Sequence, residues 1–341
     1  MKYVRLGRSG MKVSALCLGT MTMGTSAWRP WVLNREETRP ILARALELGI
    51  NYFDLADWYS TGVNEEVVTS ELLAMTRRDQ LVLTTKCYYP MGDGPNDRGL
   101  SRKHIMESID RSLKAMGTDY VDVYMMHAYD PETPIEETLE AFNDIVRAGK
   151  ALYIGCSTMW AWQFSKIIHL CRHRGWAVPA VMQCQHNLVY RENEFEMFPL
   201  CEDEGVAVTP FSPLARGFLT GDRSRTGDLK SHRAKTDNLS QNYFREENDF
   251  LIAERVQEIA DRRGVSASQI ALTWVTQQNS VTSPLVGVDS VAQVEEAVAA
   301  LDIVLSPAEL LLLEEPYQRR DMIIDHPAVR TRVPPKLLEA A

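Results

Sequence analysis

The feature that most constrains this chain is an alternation. Short apolar runs of strand character are each followed by an amphipathic stretch with helical spacing, and the pattern occurs eight times. The runs are Leu16–Gly19, Asn51–Asp54, Leu81–Thr84, Val121–Met126, Leu152–Gly155, Ala180–Gln183, Val206–Val208 and Pro284–Gly287. The helices expected after them cover 35–48, 64–74, 101–116, 135–148, 160–173, 194–204, 248–277 and 291–300. Strands alternating with helices imply a parallel sheet with helices on its faces. Eight such units fit a closed (β/α)₈ TIM barrel, whereas doubly wound open sheets commonly have five or six strands. Ahead of the first unit, Tyr3–Leu6 and Met11–Val13 flank a turn-rich gap, Gly7-Arg8-Ser9-Gly10, and predict a β-hairpin. Ser101 is the expected cap of the third helix, and Thr133 before Pro134 that of the fourth.

Length and charge narrow the classes. A barrel takes about 250 residues. The 341 residues therefore leave room for the hairpin, a long polar insertion over 220–246, two extra helices and a C-terminal extension. We expect one domain over 1–318 and an extension over 319–341, where Pro327, Pro334 and Pro335 argue for an extended arm. The net charge of −9, with no basic run, disfavours nucleic-acid binding. The six cysteines have neither zinc nor C-x-x-C spacing and suggest reduced thiols and a cytoplasmic setting. The longest uncharged stretch, Val265 to Val288, is interrupted by Gln277, Gln278, Asn279 and Pro284, so no membrane span is expected. No G-x-G-x-x-G follows a strand, and Thr25 stands where a P-loop would have lysine.

In a barrel of this type the chemistry sits at the C-terminal ends of the strands. There the second strand ends in Asp54, with Tyr59 five residues on. The third ends in Lys86, the fourth in His127, the fifth in Ser157 and the sixth in Gln183. Four titratable groups from three successive strands would thus share one mouth.

These residues and several stretches around them resemble the aldo-keto reductases. The matching segments are GINYFDLADWYSTGVNEE (49–66), LVLTTK (81–86), GTDYVDVYMMH (117–127), ETLEAFNDIVRAGKALYIGCS (137–157), FSPLARGFLTG (211–221) and SPLVGVDSVAQVEEAVAALDIVLSPAEL (283–310). The resemblance covers about residues 1–318, and MGDGPNDRGLSRKHI (91–105) is similar to the bacterial and fungal aryl-alcohol-dehydrogenase-like branch. It implies a nicotinamide-dependent oxidoreductase that reduces an aldehyde or ketone (an aromatic, sugar or natural-product carbonyl) to the alcohol. Tyr59 would be the proton donor, its pKa lowered by Lys86. Asp54 would hold Lys86, and His127 would orient the carbonyl oxygen.

The resemblance also assigns the cofactor contacts. Ser157, Thr158 and Gln183 match positions at the nicotinamide carboxamide, and Phe211 the aromatic stacked on the nicotinamide ring. Ser212, Pro213, Leu214 and Gly217 match the loop along the pyrophosphate. Gly19, Thr20 and Met21, with Asp54, match the region of the nicotinamide ribose. Gly287, Asp289, Gln293 and Glu296 fall at the adenosine end. NADP(H) is the expected cofactor, with Arg233 reaching its 2′-phosphate; NAD(H) is the alternative. Asp289 stands where the family commonly carries a hydroxyl near a base, and a carboxylate there would repel a phosphate. Trp28, Trp58, Tyr88, Ala128 and Tyr129 are the expected substrate contacts. The expected partner is a small carbonyl or alcohol, with the chain a monomer or a homo-oligomer. The alternative reading, from relatives that bind cofactor with little turnover, is a regulatory subunit of a larger complex.

Overall fold

The computed structural model describes residues 1–320 except 224, 226, 228 and 238–242. The predicted extension therefore lies outside the described residues from 321 onward. The hairpin pairs β1 (Tyr3–Arg5) with β2 (Lys12–Ser14), Val4 opposite Val13. Eight parallel strands follow: β3 (Cys17–Gly19), β4 (Tyr52–Asp54), β5 (Val82–Cys87), β6 (Val121–Met126), β7 (Ala151–Ser157), β8 (Val181–Gln183), β9 (Ala207–Val208) and β10 (Leu285–Gly287). Their order is β10-β3-β4-β5-β6-β7-β8-β9. The two edges are joined by backbone bonds from Thr282 to the Val208 carbonyl and from Leu285 to the Pro210 carbonyl, both 2.8 Å. This is the predicted TIM-barrel fold.

The period-two alternation of strands divides each one between two cores. Leu18, Phe53, Leu83, Tyr124, Met126, Ile154, Cys156, Met182, Val208 and Val286 face the helices. Cys17, Tyr52, Val82, Val123, Met125, Val181, Ala207 and Leu285 face inward, where Leu6 and Val13 of the hairpin join them. The hairpin closes the barrel at the start of its strands. Gly7 has φ +58°, and a Cβ there would lie 2.6 Å from the Gly205 carbonyl oxygen and 2.8 Å from the Ala207 nitrogen. Arg8 N–H donates to that same carbonyl at 2.9 Å.

The helices are α1 (Arg35–Glu47), α2 (Val63–Met75), α3 (Arg102–Met116), α4 (Ile135–Arg147), α5 (Ala161–Arg174), α6 (Met197–Glu204), α7 (His232–Thr236), α8 (Glu247–Arg263), α9 (Ala267–Thr276), α10 (Val291–Ala299) and α11 (Pro307–Glu314). Two expectations need correction. The helix read as continuous over 248–277 is two helices: Gly264 ends α8 in the left-handed region at φ +64°, and Ser266 caps α9 by accepting from Gln269 N–H. Thr133 does not cap α4, because its hydroxyl donates to Asp130 Oδ2 at 2.7 Å and Pro134 takes the cap position without a side-chain bond. Ser101 does cap α3.

The long insertion and the added helices build a further core. Phe218, Phe244, Ile252, Val256, Ile259, Ile270, Trp274 and Leu313 are buried together there. The described end of the chain packs back on the loop after β8. Tyr317 Oη accepts from Arg191 N–H at 2.9 Å and donates to Glu192 at 2.8 Å, and Arg320 pairs with buried Asp249. Among the described residues no helix is long and apolar enough to cross a membrane.

Candidate active site

The inward set of each strand continues past the apolar layer into polar groups at the opposite mouth. Two residues beyond Tyr52 stands Asp54, and two beyond Met125 stands His127. Lys86 closes the inward row of β5, Ser157 ends β7 and Gln183 ends β8. Lys86 Nζ donates to Asp54 Oδ2 at 2.7 Å, to the Leu55 carbonyl at 2.8 Å and to Tyr59 Oη at 3.4 Å. Gln183 Nε2 donates to Asp54 Oδ1 at 2.9 Å. Asp54 thus bridges a cation on one side and an amide on the other. Tyr59 opens a short 3₁₀ turn, Tyr59–Gly62, and its ring meets that of His127 edge-on at 5.8 Å. Lys86 and Asp54 are sealed, whereas Tyr59 and His127 remain 7% and 8% exposed, so these two present the reactive edge.

Lys86 acts to lower the Tyr59 pKa, as expected, but burial is the larger influence. Burial raises the Tyr59 phenol above its ordinary value, and the nearby Lys86 cation only partly offsets this. Burial also opposes charge on Lys86, yet Asp54 and Tyr59 outweigh it and hold the ammonium above its usual value. In the protein alone, then, the phenol holds its proton firmly and the lysine is charged.

The structure distributes the remaining predicted residues as follows. Thr20 donates to the Asp54 carbonyl at 2.8 Å and is held by Asn64, so Gly19, Thr20 and Met21 border the site through their backbone. Gly19 lies in register with Gly287. Ser157 and Thr158 share a hydroxyl bond of 3.1 Å beside Gln183. Phe211 pairs with Gln185 through the backbone, and Asn187 donates to the Ser212 carbonyl at 2.9 Å. Pro213 is buried and Leu214 half-buried. Ser212, Ala215, Arg216 and Gly217 all have positive φ. Asp289 and Gln293 are exposed, the Asp289 N–H donating to Gln293 Oε1 at 2.8 Å. Glu296 is half-buried on α10. Arg233 lies over Trp31 at 4.7 Å. Burial and Arg216 push its guanidinium down to about 10, against the opposing fields of Asp237 and Asp289.

An aromatic wall runs outward from His127. Tyr89 lies 4.7 Å from His127 and 4.7 Å from Trp58; Trp58 lies 5.2 Å from Trp28, and Trp28 lies 6.4 Å from Trp31. Of the expected substrate contacts, Trp28 and Trp58 belong to this wall and Tyr88 adjoins it through Tyr89 at 5.3 Å. Ala128 is fully buried, and Tyr129 packs instead on Trp162 at 6.4 Å. Sequence reasoning missed Tyr89. Alternation counted from Lys86 favours Tyr88, but β5 ends at Cys87 and the period ends with it. It also missed Trp31 and Arg29, whose loop carries no periodic signal.

Residues 15–317 match the model of the aldo/keto reductase family, and the chain belongs to that family. It is accordingly an oxidoreductase of the carbonyl and alcohol class. It is 40% identical over 335 residues to the versiconal hemiacetal acetate reductase of Aspergillus parasiticus, covering 93% of this chain and 97% of that one. An aldo-keto reductase of Fusarium vanettenii is 38% identical over 342 residues, covering 93% and 91%. A Schizosaccharomyces pombe protein carrying an aryl-alcohol dehydrogenase name is 38% identical over 339 residues, covering 92% and 95%.

Proposed function

We propose that residues 1–318 form one catalytic unit that reduces the aldehyde or ketone of a flat, ring-bearing substrate to the alcohol, using NADP(H) and with Tyr59 as proton donor. The observation that carries this reading is the placement of Lys86 Nζ, 2.7 Å from Asp54 and 3.4 Å from Tyr59 Oη, with Tyr59 and His127 the more exposed members of the four.

The donor set suits a polyanionic dinucleotide. Gln183 gives its amide N–H to Asp54, which leaves its carbonyl oxygen to accept from a carboxamide beside Ser157. Positive φ at Ser212, Ala215, Arg216 and Gly217 winds this loop into tight turns, closed by Ala215 N–H on the Ser212 carbonyl at 2.9 Å and Gly217 N–H on the Leu214 carbonyl at 3.0 Å, and its compact backbone would lie along the pyrophosphate. Arg216 and Arg233 both pair with the Asp237 carboxylate, at 2.5 and 3.4 Å, and Asp289 acts on Arg233 as well; these two guanidinium groups would meet the phosphates. When bound, the nicotinamide supplies the hydride.

The chain's own groups supply the rest. His127 orients the carbonyl oxygen toward Tyr59. The phenol O–H bond breaks as its proton passes to that oxygen, and the electron pair stays on Tyr59. Lys86 stabilises the phenolate so formed, and Asp54 keeps Lys86 in place. The aromatic wall and the sealed lysine keep water from the reacting atoms.

The test is to follow NADPH oxidation with an aromatic aldehyde. Tyr59→Phe is expected to lower turnover by about 10²–10⁴-fold, while NADPH still alters the protein's fluorescence as in the wild type. Full activity in Tyr59→Phe would refute the proton-donor role.

A further inference from the structure

Among the described residues, Arg29 is the one charged side chain that stands among the rings of the aromatic wall yet belongs to none of the groups assigned above. Its guanidinium lies 4.3 Å from the Trp28 ring, 5.3 Å from Trp58 and 5.5 Å from Trp31. Its loop follows β3, at the mouth that carries Tyr59. Among the described residues no carboxylate lies within ion-pair distance of it. The carboxylate whose field reaches it, Asp237, is already held by Arg216 through Nε at 2.9 Å and Nη2 at 2.5 Å, and by Arg233.

Arg29 is half-buried, so its guanidinium gives up part of its hydration, and contact with the ring faces returns part of that loss. Burial and the neighbouring Arg216 act against the Arg29 charge, and the fields of Asp237 and Tyr59 offset them only in part. Asp237 is ion-paired by Arg216 and Arg233, whereas Arg29 feels its field without touching it. An incoming anion would correct this imbalance. Two anions can reach this mouth, the cofactor's phosphates and an acidic group on the substrate. The rings favour the second. Arg29 sits on Trp28 and Trp58, and Trp58 continues through Tyr89 to His127, so the guanidinium lies at the far end of the same wall whose near end is the reactive edge. The Tyr59 phenol also lies within the field of Arg29.

We infer that Arg29 is a specificity-determining residue that selects aromatic carbonyl substrates bearing an anionic substituent, such as a carboxylate, on the ring. The ring lies against Trp28, Trp58 and Tyr89, its carbonyl meets Tyr59 and His127, and its acidic group meets the guanidinium fork. This rests on the function proposed above, and the experiment separates the two.

The measurement is kcat/KM for 4-carboxybenzaldehyde and for its uncharged methyl ester, in wild type, Arg29→Leu and Arg29→Lys, with NADPH saturating. Benzoate binding is followed in parallel by tryptophan fluorescence. The wild type is expected to prefer the carboxylate about tenfold or more, and Arg29→Leu to lose that preference while its rate on the ester stays within about twofold. Arg29→Lys keeps the charge without the fork and should retain part of the preference. Benzoate affinity should fall in Arg29→Leu by the same factor as the preference. A wild-type ratio near one, or a ratio unchanged in Arg29→Leu, overturns the inference. An unchanged ratio with a raised KM for NADPH overturns it in favour of the cofactor's phosphates. Absence of turnover on both aldehydes refutes the proposed function instead, and the benzoate titration then still decides the role of Arg29.

Discussion

Lys86 has no exposed surface and three oxygen neighbours, and the logic of the site follows from that. A buried ammonium persists only if paired and hydrogen-bonded; Asp54 and the Leu55 carbonyl meet that need and leave the Tyr59 contact as the longest of the three. The proposed adenosine end poses the opposite problem, since Asp289 acts on the Arg233 guanidinium. A carboxylate that opposes a 2′-phosphate is countered by a guanidinium that attracts it. We expect Arg233→Ala to lower kcat/KM with NADPH by about 10- to 100-fold, as loss of a charge-assisted bond implies, and to leave NADH within about twofold. Asp289→Ser should shift preference further toward NADPH. Equal losses with both cofactors in Arg233→Ala, read from initial rates, would sink the phosphate role.

At the scale of elements, α2 stiffens the turn that carries Tyr59. Glu65 in its first turn is fully buried and accepts from Thr85 Oγ1 at 2.5 Å, next to Lys86 on β5. Burial raises its carboxyl to about 7, although Thr85, Ser112, Lys86 and Arg111 oppose the shift; Asp57, also buried, lies close enough that Glu65 raises its carboxyl in turn. The folded chain therefore keeps a proton that the unfolded chain releases near 4.5. Folding stability should fall as pH rises from there through about 7, by on the order of 3 kcal/mol from this group. Glu65→Gln preserves the Thr85 contact and removes the titration. Denaturant unfolding at stepped pH should show that decline flattened in the variant, and an identical slope in both proteins would contradict the assignment.

At the scale of the whole molecule, the barrel separates stability from chemistry along its axis. The hairpin seals the end where the strands begin, and the titratable groups occupy the end where they finish. Gly7 is the point of closest approach, with positive φ and no room for a Cβ beside the Gly205 carbonyl. Gly7→Ala is expected to destabilise the fold by about 1–3 kcal/mol. Because Gly7 lies at the opposite end from Tyr59, turnover at low temperature should stay near wild type. Denaturant midpoints and initial rates together check this, and a large loss of rate in the still-folded variant would argue against the separation.

Much of this was legible in the chain itself. Eight apolar runs gave the strands to within a residue or two at their starts, because period-two burial on both faces leaves an unmistakable apolar core. The same alternation carried Asp54, Lys86, His127, Ser157 and Gln183 to one mouth. Gly264 already marked a helix stop, but the apolar periodicity continued across it and masked the break between α8 and α9. Tertiary structure decided what periodicity cannot encode. Loop conformation put Tyr89 rather than Tyr88 beside His127, because a strand's register lapses where its ladder ends. Burial decided that the Tyr59 phenol sits above its ordinary pKa despite Lys86, since desolvation depends on every atom around the group and not on its neighbour alone. Packing between distant loops brought Arg216 and Arg233 to a single carboxylate and Arg29 into its field. Charges so far apart in sequence share a field only once the chain has folded.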